Sequence, residues 1–169
     1  MQRDPAQGPG VRGALRSSVM YRALVRRRIV ATFGALSRGE YDLALEGMAD
    51  DVHHVFAGES ALGGERHSRD AVRAWFERLF RLYDELRFEV RRVIVSGPPW
   101  NVAVGVEWLA HARPKAGEPY ENEGFHLINI RRGRVAYFHA YEDSQKVADA
   151  CRQMAEAGIA EAAAAPIVD

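Results

Sequence analysis

The stretch Gly58-Glu59-Ser60-Ala61-Leu62-Gly63-Gly64-Glu65-Arg66-His67-Ser68-Arg69-Asp70-Ala71-Val72-Arg73-Ala74-Trp75-Phe76 decides the fold. Its first half is a glycine-rich loop and its second half opens a helix. The Ser68 hydroxyl can accept a hydrogen bond from a free amide of the first turn, and Asp70 sits at the positive end of the helix dipole. Val72, Trp75, Phe76, Leu79, Phe80 and Tyr83 follow at helical spacing and form one apolar stripe, so this helix lies against a core.

Upstream, Val52 to Phe56 reads as a strand that feeds the loop, and Tyr41 to Met48 as a short helix. Val25, Ile29, Phe33 and Leu36 give a first helix from Met20 to Ser37, stopped at Gly39. Residues 1–18 carry Pro5, Pro9 and three glycines with little to bury, which predicts a disordered tail, and Met20 offers a second possible start. Downstream the period changes to two. Phe88 to Ser96, Asn101 to His111, Tyr120 to Arg131 and Arg134 to Tyr141 read as strands of a meander, punctuated by Gly97-Pro98-Pro99, by Pro114 to Pro119 and by Gly133. A last helix, about Ser144 to Ala157, carries Val147, Cys151 and Met154 on its buried side, and 158–169 is a C-terminal tail. The order predicts one α+β domain over residues 19–157: a cone-shaped, curved antiparallel sheet with helices on its concave face.

Twenty-three basic residues balance twenty-three acidic ones. No global field draws nucleic acid or anionic lipid, and the run Arg26-Arg27-Arg28 reads as a solvated helix face. The single cysteine excludes an internal disulfide and fits a reducing, cytoplasmic setting. No apolar run reaches the roughly 20 residues that span a bilayer, and the N-terminus has no signal-peptide block. Nucleotide loops, paired-cysteine metal motifs and nucleophile elbows are missing from the sequence, so the expected cofactor is none and the expected metal is none.

Which side chains face the inside of the cone depends on strand register, since a one-residue slip exchanges the faces. Arg131-Arg132-Gly133-Arg134 contains one residue that readily adopts positive φ, which favours a three-residue loop with Ile130 opposite Arg134. Ile128 then faces Ala136, His126 faces Phe138, Gly124 faces Ala140 and Asn122 faces Glu142 on one side. Phe125 with His139 and Glu123 with Tyr141 occupy the other. His126 and His139 point apart in this register, which argues against a shared zinc ion.

The Gly58 to Phe76 run resembles the strand-to-third-helix junction of SnoaL-like domains, the polyketide-cyclase branch of the nuclear transport factor 2 like superfamily. The resemblance spans about Met20 to Met154 and implies a closed cone with one small-molecule pocket. In the similar limonene epoxide hydrolases the water-activating residues correspond to His54, Phe56, Glu107, Leu109 and Ala140 of this chain. Each group is replaced, so epoxide hydrolysis is not expected. In the similar aldol cyclases a pocket histidine falls near His126, whereas the catalytic aspartate corresponds to Ala140.

With Ala140 unable to act as base, two carboxylates are candidates: Glu142, two residues further along the same face, and Glu107, on an otherwise apolar strand where desolvation would raise its pKa. His126 and His54 are candidate donors or proton shuttles, or satisfied interior imidazoles. Asn122, Phe56, Trp75, Phe76, Phe80, Leu109 and Phe138 are candidate walls for a small apolar, cyclic substrate. Trp108 and the tyrosines are expected on the outer sheet face, covered by a second copy in a homodimer. The expected activity is a metal-free cyclase, isomerase or dehydratase; a non-catalytic carrier and a protein-interaction module are the alternatives.

Overall fold

The computed structural model describes residues 9–169. Helix α1 runs Pro9–Leu36, α2 Asp42–Glu46, α3 Arg69–Leu82 and α4 Ser144–Glu156. The strands are β1 Met48–Phe56, β2 Gly64–Arg66, β3 Tyr83–Ser96, β4 Asn101–Pro114, β5 Tyr120–Arg131 and β6 Arg134–Glu142. They form one sheet in the order β2-β1-β6-β5-β4-β3, antiparallel except for the parallel pair β1 and β6. This is the α+β cone: α1 packs along β3, and α3 crosses β1 and β3.

The cap at Ser68 forms as expected, its hydroxyl accepting from the Ala71 amide. Val72, Trp75, Phe76 and Leu79 are buried. The helix ends at Leu82, and Tyr83 opens β3 instead of completing the stripe. Inside the glycine loop, Gly64–Arg66 adds a short edge strand to β1 that composition concealed. Arg66, fully buried, ties this loop together by donating to the Leu62, Gly63 and Gly64 carbonyls. The Trp75 indole donates to the Leu62 carbonyl at 2.7 Å, which fixes α3 to the same loop.

At the N-terminus α1 begins at Pro9, eleven residues before Met20; residues 1–8 of the expected tail lie outside the described residues. At the other end, 158–169 packs back on the domain. Ala160–Ala163 forms a 3-10 turn, and Asp169 accepts from the His67 amide and the Ser68 hydroxyl. Among the described residues no helix is long and apolar enough to cross a membrane.

The β5–β6 register departs from the expected one. Arg131 pairs with Arg134 around a two-residue loop in which Arg132 (φ 50°) and Gly133 (φ 79°) are both left-handed. An arginine here adopts the conformation that a type I′ turn demands of both central residues. A bulge between Val135 and Tyr137 then adds one residue to β6, so that Ile128 faces Phe138, His126 faces Ala140, Gly124 faces Glu142 and Phe125 faces Tyr141. Ile130 faces Val135, one residue from its expected partner, and beyond the bulge every expected pair is displaced by two residues along β6. Two is even, so each side chain keeps its face, and His126 and His139 still point apart.

Candidate functional site

The inner face of β4 carries Val102, Val104, Val106, Trp108, Ala110 and Ala112, all buried. Opposite them, Tyr120, Asn122, His126 and Ile128 of β5 and Phe138 and Glu142 of β6 face the same space. Helices α1 and α3 close it with Phe33, Trp75, Phe76 and Phe80. The result is a cavity of about 340 Å³ with a mostly apolar wall, within the size range of small-molecule sites. Its mouth lies beside Leu24, Arg28 and Leu43, which line the cavity and are exposed to solvent.

Phe56, Trp75, Phe76, Phe80 and Phe138 come together on this wall. Trp108 does as well, contrary to its expected place outside. Its indole lies across Gly124, where a Cβ would come within 2.2 Å of the ring, and its N–H donates to His126 Nδ1 at 2.6 Å. His126 is desolvated, which pulls its pKa down to about 4 and leaves the ring neutral. With Nδ1 accepting, the remaining proton belongs on Nε2, so the imidazole is an N–H donor within the cavity wall.

Glu142 is the second polar group. Burial, with the neighbouring Asp143 charge as the lesser cause, raises its pKa to about 8, and its Oε1 is buried without a hydrogen-bond partner. It lies diagonally across from both His126 and Asn122, since Gly124 is its direct partner. Asn122 lines the cavity, but its amide is engaged in both directions: Nδ2 donates to the Asp143 carbonyl and Oδ1 accepts from the Asp143 amide, both at 3.2 Å. It holds the end of β6, and with it Glu142, in place.

Three expected site residues are not on the wall. Glu107 points to the outer face, where its half-exposed carboxylate lies 3.5 Å from Arg92. The alternation of β4 that buries Val106 and Trp108 inside turns Glu107 out, and the same parity places Leu109 outside. His54 is fully buried behind the wall, stacked on Phe138 at 4.0 Å and edge-on to Trp75 at 4.6 Å, with Nδ1 3.4 Å from Arg66. Desolvation, and then the Arg66 charge, push its pKa well down, so it is a neutral packing residue.

Tyr83 and Tyr120 are wall residues that, like Trp108, sequence reading missed. Their hydroxyls meet at 2.7 Å, and burial raises both pKa values, Tyr83 well above the ordinary phenol range. One hydroxyl donates to the other, which leaves the second with a proton to offer. Tyr120 stands two, four and six residues before Asn122, Gly124 and His126, so the period of β5 already placed it on their face. Tyr83 carried no such signal, because its spacing continued the helix.

Residues 27–138 match the SnoaL-like domain model. A nuclear transport factor 2 like protein of unknown function from Burkholderia pseudomallei is 20% identical, with a TM-score of 0.66 over 73% of this chain and 94% of that one. A candidate polyketide cyclase from Xanthomonas campestris pv. campestris is 20% identical, with a TM-score of 0.58 over 75% and 95%. TerC, co-crystallised with polyporic acid, is 17% identical, with a TM-score of 0.60 over 73% and 94%. At these identities the likeness shows the fold. No curated protein matches the sequence.

Proposed function

Because the chain belongs to the SnoaL-like domain family, we propose that it is an acid/base enzyme acting on an apolar, cyclic, polyketide-like substrate, with Glu142 as general base. The observation that carries this reading is a carboxylate with a pKa of about 8 and a free, buried oxygen on the wall of an apolar cavity. A base of that strength suits removal of a proton from carbon beside a carbonyl. The charge then develops on the carbonyl oxygen, where His126 Nε2–H and the free phenol proton of the Tyr83–Tyr120 pair are available as neutral donors. The protonated Glu142 can return the proton at a second carbon, which would make the net reaction an isomerisation, or help a hydroxide leave as water, which would make it a dehydration.

The mostly apolar wall also suits a carrier, and the two readings part at Glu142. In deuterated water, the protein should exchange the α-protons of enolisable cyclic ketones, followed by NMR. Glu142→Gln should bind the same ketones and lose the exchange at least a hundredfold. Exchange that persists in Glu142→Gln removes the base; binding with no exchange in the wild type leaves the carrier.

A second copy is the proposed partner for the outer face. Phe125 and Tyr141, directly paired across β5 and β6, are 38% and 48% exposed there, beside Leu109 on β4.

A further inference from the structure

On the outer face, away from the cavity, β1 and β2 bring together a cluster that the acid/base chemistry does not use. His54 pairs with Arg66 and Val55 with Glu65, so His53 and His67 stand on the same outer face with Glu65 beside them. Glu65 Oε2 is 2.8 Å from His53 Nε2 and 4.0 Å from His67 Nε2. One ligand atom from each of the three lies within 4.8 Å of the others, and the imidazoles stack with centroids 4.4 Å apart.

We propose that His53, Glu65 and His67 form a binding site for a divalent transition metal of the zinc class. A lone His–Glu pair would be an ordinary surface contact; a second imidazole turned toward the same carboxylate oxygen makes a chelate. Zinc binds imidazole nitrogen and carboxylate oxygen at about 2.0–2.2 Å, which sets the ligand atoms of a tetrahedral site about 3.3 Å apart, so the His67 nitrogen has to move in and the 2.8 Å His53–Glu65 pair has to open slightly. The side chains are 36%, 57% and 54% exposed and free to make that movement. Two nitrogens and one oxygen favour zinc, nickel or copper over calcium or magnesium, which take oxygen ligands.

The surroundings favour a fixed site. His67 is anchored through its amide, which donates to Asp169 Oδ1 at 2.6 Å, and the Tyr137 ring stands edge-on to His53 at 5.2 Å. Three protein ligands leave at least one position for water or another donor. The ion would pin the three-residue edge strand β2 to β1, and through it the loop that carries Leu62 of the cavity wall.

Tag-free protein, stripped with EDTA and dialysed, should be titrated calorimetrically with zinc chloride at neutral pH. One equivalent is expected to bind, and His67→Ala and Glu65→Gln should each weaken it at least tenfold while leaving the melting temperature in EDTA unchanged. His111→Ala, which removes the partner of Glu121 on β4, should bind as the wild type does. Cobalt in place of zinc should give visible d–d bands that are lost in His67→Ala. Wild-type binding no tighter than that of His67→Ala, or no binding at all, overturns the site.

Discussion

The Trp108 indole nitrogen lies 2.6 Å from His126 Nδ1, and this contact assigns the proton of a neutral histidine to the nitrogen left free. Trp108 is thereby a positioning residue. Trp108→Phe keeps an aromatic ring and removes the donor, so both tautomers become accessible to His126. Nitrogen NMR of the histidine rings should show a single Nε2–H tautomer in the wild type and a mixture in Trp108→Phe. If His126 stabilises charge on the substrate, kcat should fall about tenfold with KM little changed. A wild-type ring protonated on Nδ1 contradicts the assignment.

The Trp108 ring can lie over β5 because residue 124 has no side chain. A Cβ there would meet Cζ2 at 2.2 Å and Cη2 at 2.4 Å. Gly124→Ala should therefore cost about 1–3 kcal/mol through forced repacking. The loss should shrink in Gly124→Ala/Trp108→Phe, because two residues sharing one contact are not additive. Urea denaturation of the four proteins of the cycle measures it, and additive losses would mean that the ring relaxes elsewhere.

Glu142 couples stability to pH. Its pKa rises from 4.5 to about 8 on folding, so between those values the folded chain holds a proton that the unfolded chain has lost. Stability then falls as pH rises across this window. Glu142→Gln cannot ionise, and its melting temperature should exceed that of the wild type by a margin small at pH 5 and larger at pH 9. Activity runs the opposite way: a base must be ionised, so kcat/KM of the wild type should climb with a midpoint near 8. A flat profile from pH 6 to 9 would separate the chemistry from this carboxylate.

How far the sequence could be read depended on parity and on distance along the chain. The Ser68 cap, the α3 stripe as far as Phe80 and the period of β5 are local signals, and each maps to the structure. The β5–β6 register is not local. The left-handed Arg132 shortened the loop by one residue and the bulge at Ala136 lengthened β6 by one, and neither leaves a mark in composition. His126, Phe138 and Glu142 came out on the inner face because the two displacements add to an even number. No turn fixes the parity of β4, so the sequence pattern alone does not show that Glu107 and Leu109 face out and Trp108 faces in. The packing of Trp108 over Gly124 joins residues sixteen apart and needed the β4–β5 pairing to be seen.

The outer face offers a test of assembly. Phe125 folds over Gly105, where a Cβ would approach its ring within 2.6 Å, and so presents a flat edge next to Tyr141, itself stacked on His139 at 3.8 Å. Such a ridge between charged neighbours suits self-association about a two-fold axis. Light scattering should give twice the 18.9 kDa chain mass for the wild type and the single mass for Phe125→Asp/Tyr141→Asp. Equal masses for the two proteins would place any interface elsewhere.

The strained turn gives the last prediction. Arg132 sits at φ 50°, a region where a side chain with a Cβ is disfavoured, while its amide donates to the Trp100 carbonyl at 3.1 Å and must stay in place. Asparagine tolerates this conformation and forms the preferred Asn-Gly pair with Gly133. Arg132→Asn keeps the backbone bond and should raise the melting temperature by about 1–3 °C. Gly133→Ala moves the strain to φ 79° and should lower stability by about 1 kcal/mol. If instead Arg132→Asn were destabilising while Gly133→Ala still cost stability, the loop would be the three-residue form, with Gly133 as its single left-handed residue, and the β6 bulge would have to vanish with it.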